Sequence, residues 1–225
     1  MSLYSNRETL SYISELLVSN SKCELSNEWA LSKIKKILNN KINNEYTPMQ
    51  DKINKTRDYL DYIEKHYHNV QKAWRLVQNT CSDMKFISDD NIFNKLDKQI
   101  KNHDMSKLSH NEFVQYRMKF YPTKDENNCP TDELLADILF KDAWNNHKKD
   151  NPHHWQNWTS IQIVTEPYEL QIHCVHMVVD WIAMSLEFGG TALEYYEDNI
   201  SDIDIPEWAD KLVREICKRV YGEGD

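Results

Sequence analysis

The chain has 225 residues, of which 40% are hydrophobic, enough for one sizeable core rather than two full domains. Its net charge of −9 disfavours a protein built to grip nucleic-acid backbone, which presents a basic face to release counterions. Four glycines and six prolines are too few for the frequent turns of a sandwich or barrel, so the composition points to an all-α protein. No apolar run approaches the roughly 18 residues that a spanning helix needs, and the five cysteines are odd in number and never spaced as CxxC. Free thiols in a reducing, cytoplasmic setting are the expectation, with no cysteine assigned to metal or disulfide.

Taken in chain order, residues 7–19 and 26–45 show amphipathic helical spacing, and residues 1–46 read as an N-terminal helical extension. Thr47-Pro48-Met49-Gln50 forms a capping box with proline at the first helical position, opening a long helix to about Thr80. Ile53, Leu60, Ile63, Val70, Trp74 and Val77 are its expected core face, which also carries His66. A helix from about Asp89 to Asn102 delivers the string Asn102-His103-Asp104-Met105-Ser106-Lys107. Ser109-His110-Asn111-Glu112 reads as a second capping box, and Pro122 ends the helix it starts. After a polar loop over 122–130, a helix over about Asp132–His147 turns Leu135, Ile138, Leu139 and Ala143 inward. Asn151-Pro152-His153-His154-Trp155 breaks it. A last long helix starts near Glu166 and stops at Gly189-Gly190, and Thr191…Glu194 and Asp204…Glu207 cap two shorter helices, the second ending at Gly222. Residues 47–222 thus read as one helical domain.

The adjacent His103 and Asp104 offer an imidazole nitrogen and a carboxylate to a divalent cation, and a carboxylate can bridge two. Lys107 lies one turn beyond Asp104 if the helix continues, close enough to neutralise a phosphate oxygen. His66 on an apolar stripe is by itself ordinary core; Asp180, flanked by Val178, Val179, Trp181 and Ile182, must meet a cation or metal, because a buried unpaired carboxylate costs several kcal/mol. His147 with one or both of His153 and His154 would enlarge the cluster to two metals, although the loop histidines also suit simple packing. His176, one turn before Asp180, or Glu169 would orient a ligand rather than bind metal. His173 is expected at the surface, and His68 is expected to point away from the cluster. Around the second motif, Arg117 is the best single phosphate-binding candidate, with His110 facing the site mouth and Lys148 and Lys149 weaker; Tyr116, Lys119, Phe120 and Tyr121 suit either a nucleotide grip or plain core packing.

The order His66, His103-Asp104, Asp180 over residues 50–190 resembles the HD superfamily of metal-dependent phosphohydrolases. More closely, His103-Asp104-Met105-Ser106-Lys107-Leu108-Ser109, Asn151-Pro152-His153-His154-Trp155 and Asp180-Trp181-Ile182-Ala183-Met184 are similar to a domain family of phages and bacteria with no established reaction. The resemblance implies a helical HD-type domain holding one or two divalent ions (Mn, Fe, Ni, Zn or Mg) through His66, His103, Asp104, His147, His153, His154 and Asp180. It implies hydrolysis of a nucleotide or other small phosphorylated compound by metal-activated hydroxide, with Asp104 and Lys107 catalytic and Lys107, Arg117 and His110 on the substrate. His147 and His153-His154 are similar to the extra histidines of HD-GYP proteins, but the spacing is looser and no Gly-Tyr-Pro follows, so cyclic dinucleotides are not implied. Two alternatives share these ligands: a di-iron oxygenase of the HD type, and a non-catalytic phage product that binds a host nucleotide signal or a host protein. No membrane or duplex nucleic acid is expected as partner, oligomer formation is left open, and the location is cytoplasmic, in the host if the chain is phage-encoded.

Overall fold

The computed structural model describes residues 48–123, 130–159 and 167–222. The proposed helices at 7–19 and 26–45, Thr47 of the first capping box, Glu166, Cys23 and Cys129 lie outside them. The described residues are helical, without strands: α1 (Pro48–Thr80), α2 (Lys85–Ser88), α3 (Asp90–Lys101), α4 (Phe113–Phe120), α5 (Pro130–Asp150), α6 (Pro167–Phe188), α7 (Ala192–Asp198) and α8 (Glu207–Tyr221). Short 3₁₀ turns occupy Met105–Leu108 and Trp155–Asn157. No helix among the described residues is long and apolar enough to cross a membrane. Those within Met1–Asp58 and Arg117–Leu139 form one compact unit, and those within Tyr59–Tyr116 and Phe140–Asp225 another.

Sequence signals explain most of the boundaries. Asp89 caps α3 by accepting from the backbone N–H groups of Asn91 and Ile92, and Ile92, Leu96 and Ile100 then bury one stripe. Thr191 and Glu194 form the reciprocal capping box of α7. Gly189, with φ at +85°, stops α6, because left-handed backbone costs glycine nothing. The Asp204…Glu207 box does not form. Pro206 is the cap residue, so α8 begins at Glu207 and Asp204 lies too far upstream to reach its first amides.

In the larger unit α6 is central: α3, α7 and α8 pack on it. Val175, Val178, Val179 and Ile182 of α6 meet Leu96 and Ile100 of α3, Val213 and Ile216 of α8, and Val70, Ala73 and Val77 of α1 in one continuous core. The face of α1 holds as expected at His66, Val70, Trp74 and Val77 but departs from the expected one in the first half of the helix. Tyr59 and His66 are buried whereas Ile53 and Leu60 are exposed, because the inward stripe passes through 59, 66, 70, 73, 74 and 77. In α5, Leu135 and Ile138 likewise face solvent, and Ala136, Ala143 and His147 are buried. The smaller unit buries Asp51 and Arg117; the Arg117 guanidinium donates to the Tyr121 carbonyl and lies close to the Asp51 carboxylate.

Candidate metal centre

The site is assembled by interrupting helices. Helix α3 ends at Lys101, and Asp104 takes left-handed φ of +53°, the only non-glycine residue among those described with positive φ. On a continuing helix His103 and Asp104 would point about 100° apart. The reversal instead buries both side chains. The helix ends where the sequence placed its end and does not continue to Lys107: a 3₁₀ turn over Met105–Leu108 swings Lys107 back, and its Nζ lies 2.6 Å from Asp104 Oδ2.

His66 comes from the α1 stripe, His147 from the last turn of α5, and His176 and Asp180 from successive turns of α6. The Asn151 amide donates to the His147 carbonyl at 2.8 Å and to Ser106 Oγ at 2.7 Å. The chain then turns at once, with the His154 N–H donating to the Asn151 carbonyl, and this brings His153 and His154 over the cluster.

All seven residues proposed as metal ligands converge. His66 Nε2, His103 Nε2 and Asp180 Oδ1 form one group, with His66 Nε2 at 3.0 Å from His103 Nε2 and 3.2 Å from Asp180 Oδ1. Asp104, His147 and His154 form a second. Asp104 faces both: its Oδ2 lies 3.3 Å from His103 Nε2, and its Oδ1 lies 3.4 Å from His147 Nε2 and 3.5 Å from His153 Nε2. A third group joins His153 to His103 and His176, so His153 and His154 approach different histidines.

Asp104 Oδ1, His153 Nε2 and His154 Nε2 are buried without a hydrogen bond. A buried polar atom left so is costly unless something fills its lone pair. The donor set of imidazole and carboxylate suits first-row divalent cations, so the residues fit the expected metal.

The electrostatics favour ligand-ready states in the carboxylates and in His153, His154 and His176, whereas in His103 they favour the protonated ring. Burial opposes charge on Asp180, but His103 and His66 beside it hold its carboxyl well below the usual range. Asp104 is likewise held down, against burial, by His103 and Lys107. Burial also opposes charge on Lys107 and His103, yet the neighbouring carboxylates raise both. Burial, reinforced by other imidazoles, pushes His153 far down, His154 to about 4 and His176 to about 3, so these rings keep free lone pairs at neutral pH.

Two side chains orient the ligands. His103 Nδ1 lies 3.0 Å from His176 Nε2. With the proton on Nδ1, His103 donates to His176 and keeps Nε2 free, the orienting role expected of His176. Glu112 was missed. It belongs to no capping box; fully buried, it accepts from Ser106 Oγ at 3.0 Å and from His147 Nδ1 at 2.8 Å. Glu169 instead pairs with Lys95, away from the cluster. His173 is half-buried rather than solvated.

A cavity of about 470 Å³ opens beside the cluster. His66, Asp104, Lys107, His147, His153, His154 and Asp180 line it, together with Tyr116, the motif indoles of Trp155 and Trp181, and Tyr62 and Trp144, which the sequence did not single out. Arg117 and His110 do not line it: Arg117 is buried on Tyr121, and His110 is exposed. Lys148 and Lys149 are also absent from its wall, and Lys148 lies over the Trp144 ring. Cys81, Cys174 and Cys217 are buried free thiols outside the cluster.

No curated protein and no solved structure matches the chain. The model of a family of unknown function, DUF5662, matches residues 55–221, which include every side chain of the cluster, and the chain belongs to that family.

Proposed function

We propose that this chain is a metal-dependent phosphohydrolase of the HD type, acting on a small phosphorylated compound such as a nucleotide. The observation that carries the reading is the convergence of His66, His103 and Asp180 on one side and His147, His153 and His154 on the other around the two oxygens of Asp104, with Asp104 Oδ1, His153 Nε2 and His154 Nε2 among the ligand atoms buried and unbonded. These seven residues would hold one or two divalent ions. When bound, such ions polarise a phosphoryl oxygen and lower the pKa of a coordinated water.

The chain's own residues do the rest. Asp104 stays ionised and presents one oxygen to each group of histidines. Lys107, protonated and fixed to Asp104, faces the cavity where phosphoryl charge develops, and a fixed cation there requires no reorganisation during reaction. Glu112 and His176 hold His147 and His103 in the ring orientation that leaves Nε2 free. Neither Arg117 nor His110 is given a role. The buried free thiols fit a reducing, cytoplasmic setting, that of a host if the chain is phage-encoded.

A second reading, a di-iron oxygenase, is favoured by the many imidazole ligands and by the aromatic walls of the cavity. The test is to purify the protein without chelator, determine its metals, and follow phosphate release from a panel of phosphomonoesters and nucleotides alongside O₂ uptake. Metal-dependent phosphate release that disappears in His103→Ala and Asp104→Ala is expected. Iron-dependent O₂ uptake without phosphate release overturns the proposal in favour of the oxygenase, and absence of turnover with every metal overturns it in favour of a binding protein.

A further inference from the structure

The cavity wall carries a strong asymmetry of charge. Among the described residues Lys107 is the only lysine or arginine that lines it, and Lys107 is already paired with Asp104. Away from the ligands the wall is mainly apolar, and its neutral polar side chains include Gln156, Ser185, which donates to the Ile182 carbonyl, and Thr191, which caps α7. On α6 the cavity residues Met177, Asp180, Met184 and Phe188 recur at helical spacing, a ladder about 12 Å long from Asp180 to Phe188 at 1.5 Å per residue. Trp155, Trp181 and Tyr195 line the same space, and Trp181 meets Tyr195 edge-on with ring centroids 5.4 Å apart. Phe188 is 71% exposed and Tyr195 49%, so the ladder ends in aromatic surface open to solvent at the mouth.

Such a wall rewards a flat apolar body and penalises charge. A second phosphate, or a polyphosphate chain, would lie against indole, thioether and neutral polar groups with no lysine or arginine among the described residues to meet it, and desolvating an unpaired charge there is costly. A cavity of this volume falls within the usual range for one small organic ligand.

Resting on the phosphohydrolase reading for the phosphate end, we infer that the substrate is a phosphomonoester with a single phosphate at the metal cluster and an uncharged, flat apolar group along the Met184–Phe188–Trp181 wall. Di- and triphosphates and phosphates with a second anionic end are excluded by the wall.

Binding to the protein carrying its native metal, measured by calorimetry and tryptophan fluorescence, tests this with three hydrolysis-resistant probes: phenylphosphonate, methylphosphonate and benzene-1,4-diphosphonate. Phenylphosphonate is expected to bind at least tenfold more tightly than either of the others and to shift tryptophan emission. Phe188→Ala, a change at an exposed side chain, is expected to reduce that preference severalfold while leaving methylphosphonate unchanged. Equal binding of methylphosphonate and phenylphosphonate, benzene-1,4-diphosphonate binding as tightly as phenylphosphonate, or no binding of any probe would overturn the inference. Phenyl phosphate, assayed for turnover in parallel, separates the two claims. The expected binding order without turnover overturns hydrolysis alone, and turnover with the reverse order overturns the substrate class alone.

Discussion

His147 Nδ1 lies 2.8 Å from Glu112 Oε2, and the ring's other nitrogen, Nε2, lies 3.4 Å from Asp104 Oδ1. One imidazole thus connects a buried carboxylate behind the cluster to the carboxylate at its centre. A carboxylate behind a ligand histidine fixes its tautomer and raises its basicity, and loss of such a partner commonly costs 10- to 100-fold in metal affinity. Glu112→Gln preserves shape and a hydrogen-bond acceptor but removes the charge. Metal affinity, measured by competition with a chromophoric chelator, is expected to fall by about 10- to 100-fold in this variant. Unchanged affinity would show that Glu112 only packs.

Asp104 and Lys107 set two opposing effects on stability. The left-handed backbone at Asp104 costs about 1 kcal/mol or more, which argues for gain on substitution. Against this, Lys107 has an 11% exposed side chain, and breaking a buried ion pair by removing one partner costs roughly 3–5 kcal/mol. The second effect is larger. Asp104→Asn, which keeps a residue type tolerant of positive φ, is expected to destabilise the metal-free protein by about 2–4 kcal/mol in denaturant unfolding. Asp104→Asn with Lys107→Met should recover most of that loss while still failing to bind metal. A double variant no more stable than the single one would show that the pair is not the source of the cost.

Metal removal should read out the unbonded ligand atoms directly. A ligand that binds only the folded state adds about 2.7 kcal/mol at a free concentration one hundred times its Kd. Treatment with a chelator is therefore expected to lower the melting temperature by several degrees, and back-titration with Mn, Fe or Zn salts should restore it. His103→Ala and Asp104→Ala should melt at one temperature whatever the metal. A metal-dependent rise in either variant would move the binding site elsewhere.

The all-helical architecture was legible because few glycines and prolines leave long helical repeats, and the caps at Thr191 and the stop at Gly189 carry local signals. Four of the ligand candidates, His66, His103, Asp104 and Asp180, were legible through their order, and His147, His153 and His154 through their likeness to the extra histidines of HD-GYP proteins. What escaped the sequence was direction. Glu112 sits where a capping-box residue belongs, and only the turn over Met105–Leu108, which places Ser106 within reach of its carboxylate, shows that it faces inward. Arg117 stands beside the motif yet is buried against the Tyr121 carbonyl, because one helical position rotates a side chain by about 100°. The same rotation exposes Leu60 and Ile138, whose apolar character alone pointed to the core. Trp155 and Trp181 stand in the quoted motifs but gave no sign of facing a cavity, and Trp144, which has no motif, is recognisable only from the space it helps enclose.

The buried histidines predict a distinct acid sensitivity for the metal-free protein. In the unfolded chain an imidazole takes a proton near pH 6.5, whereas burial holds His154 and His173 neutral until about 4 and His176 until about 3. Between these values the unfolded state binds more protons, so stability must fall as pH falls. His103 has the opposite sign. Its pKa is raised, so its contribution is present below pH 6.5 and is lost as pH rises through the folded value, but it is one group against several. Asp104 and Asp180, with depressed pKa values, add their losses only in the more acid range below about 4. Stability by urea unfolding is therefore expected to drop steeply from pH 6.5 to 4, and above pH 7 to change only by the smaller, opposite contribution of His103. His173 provides the control, because it does not line the cavity. His173→Gln should lose part of this slope, on the order of 2–3 kcal/mol over the window, while keeping full metal stoichiometry. A metal-free protein equally stable at pH 7 and pH 4.5 would mean that these imidazoles are already protonated or hydrated in the folded state, and their assignment as neutral ligands would fall with it.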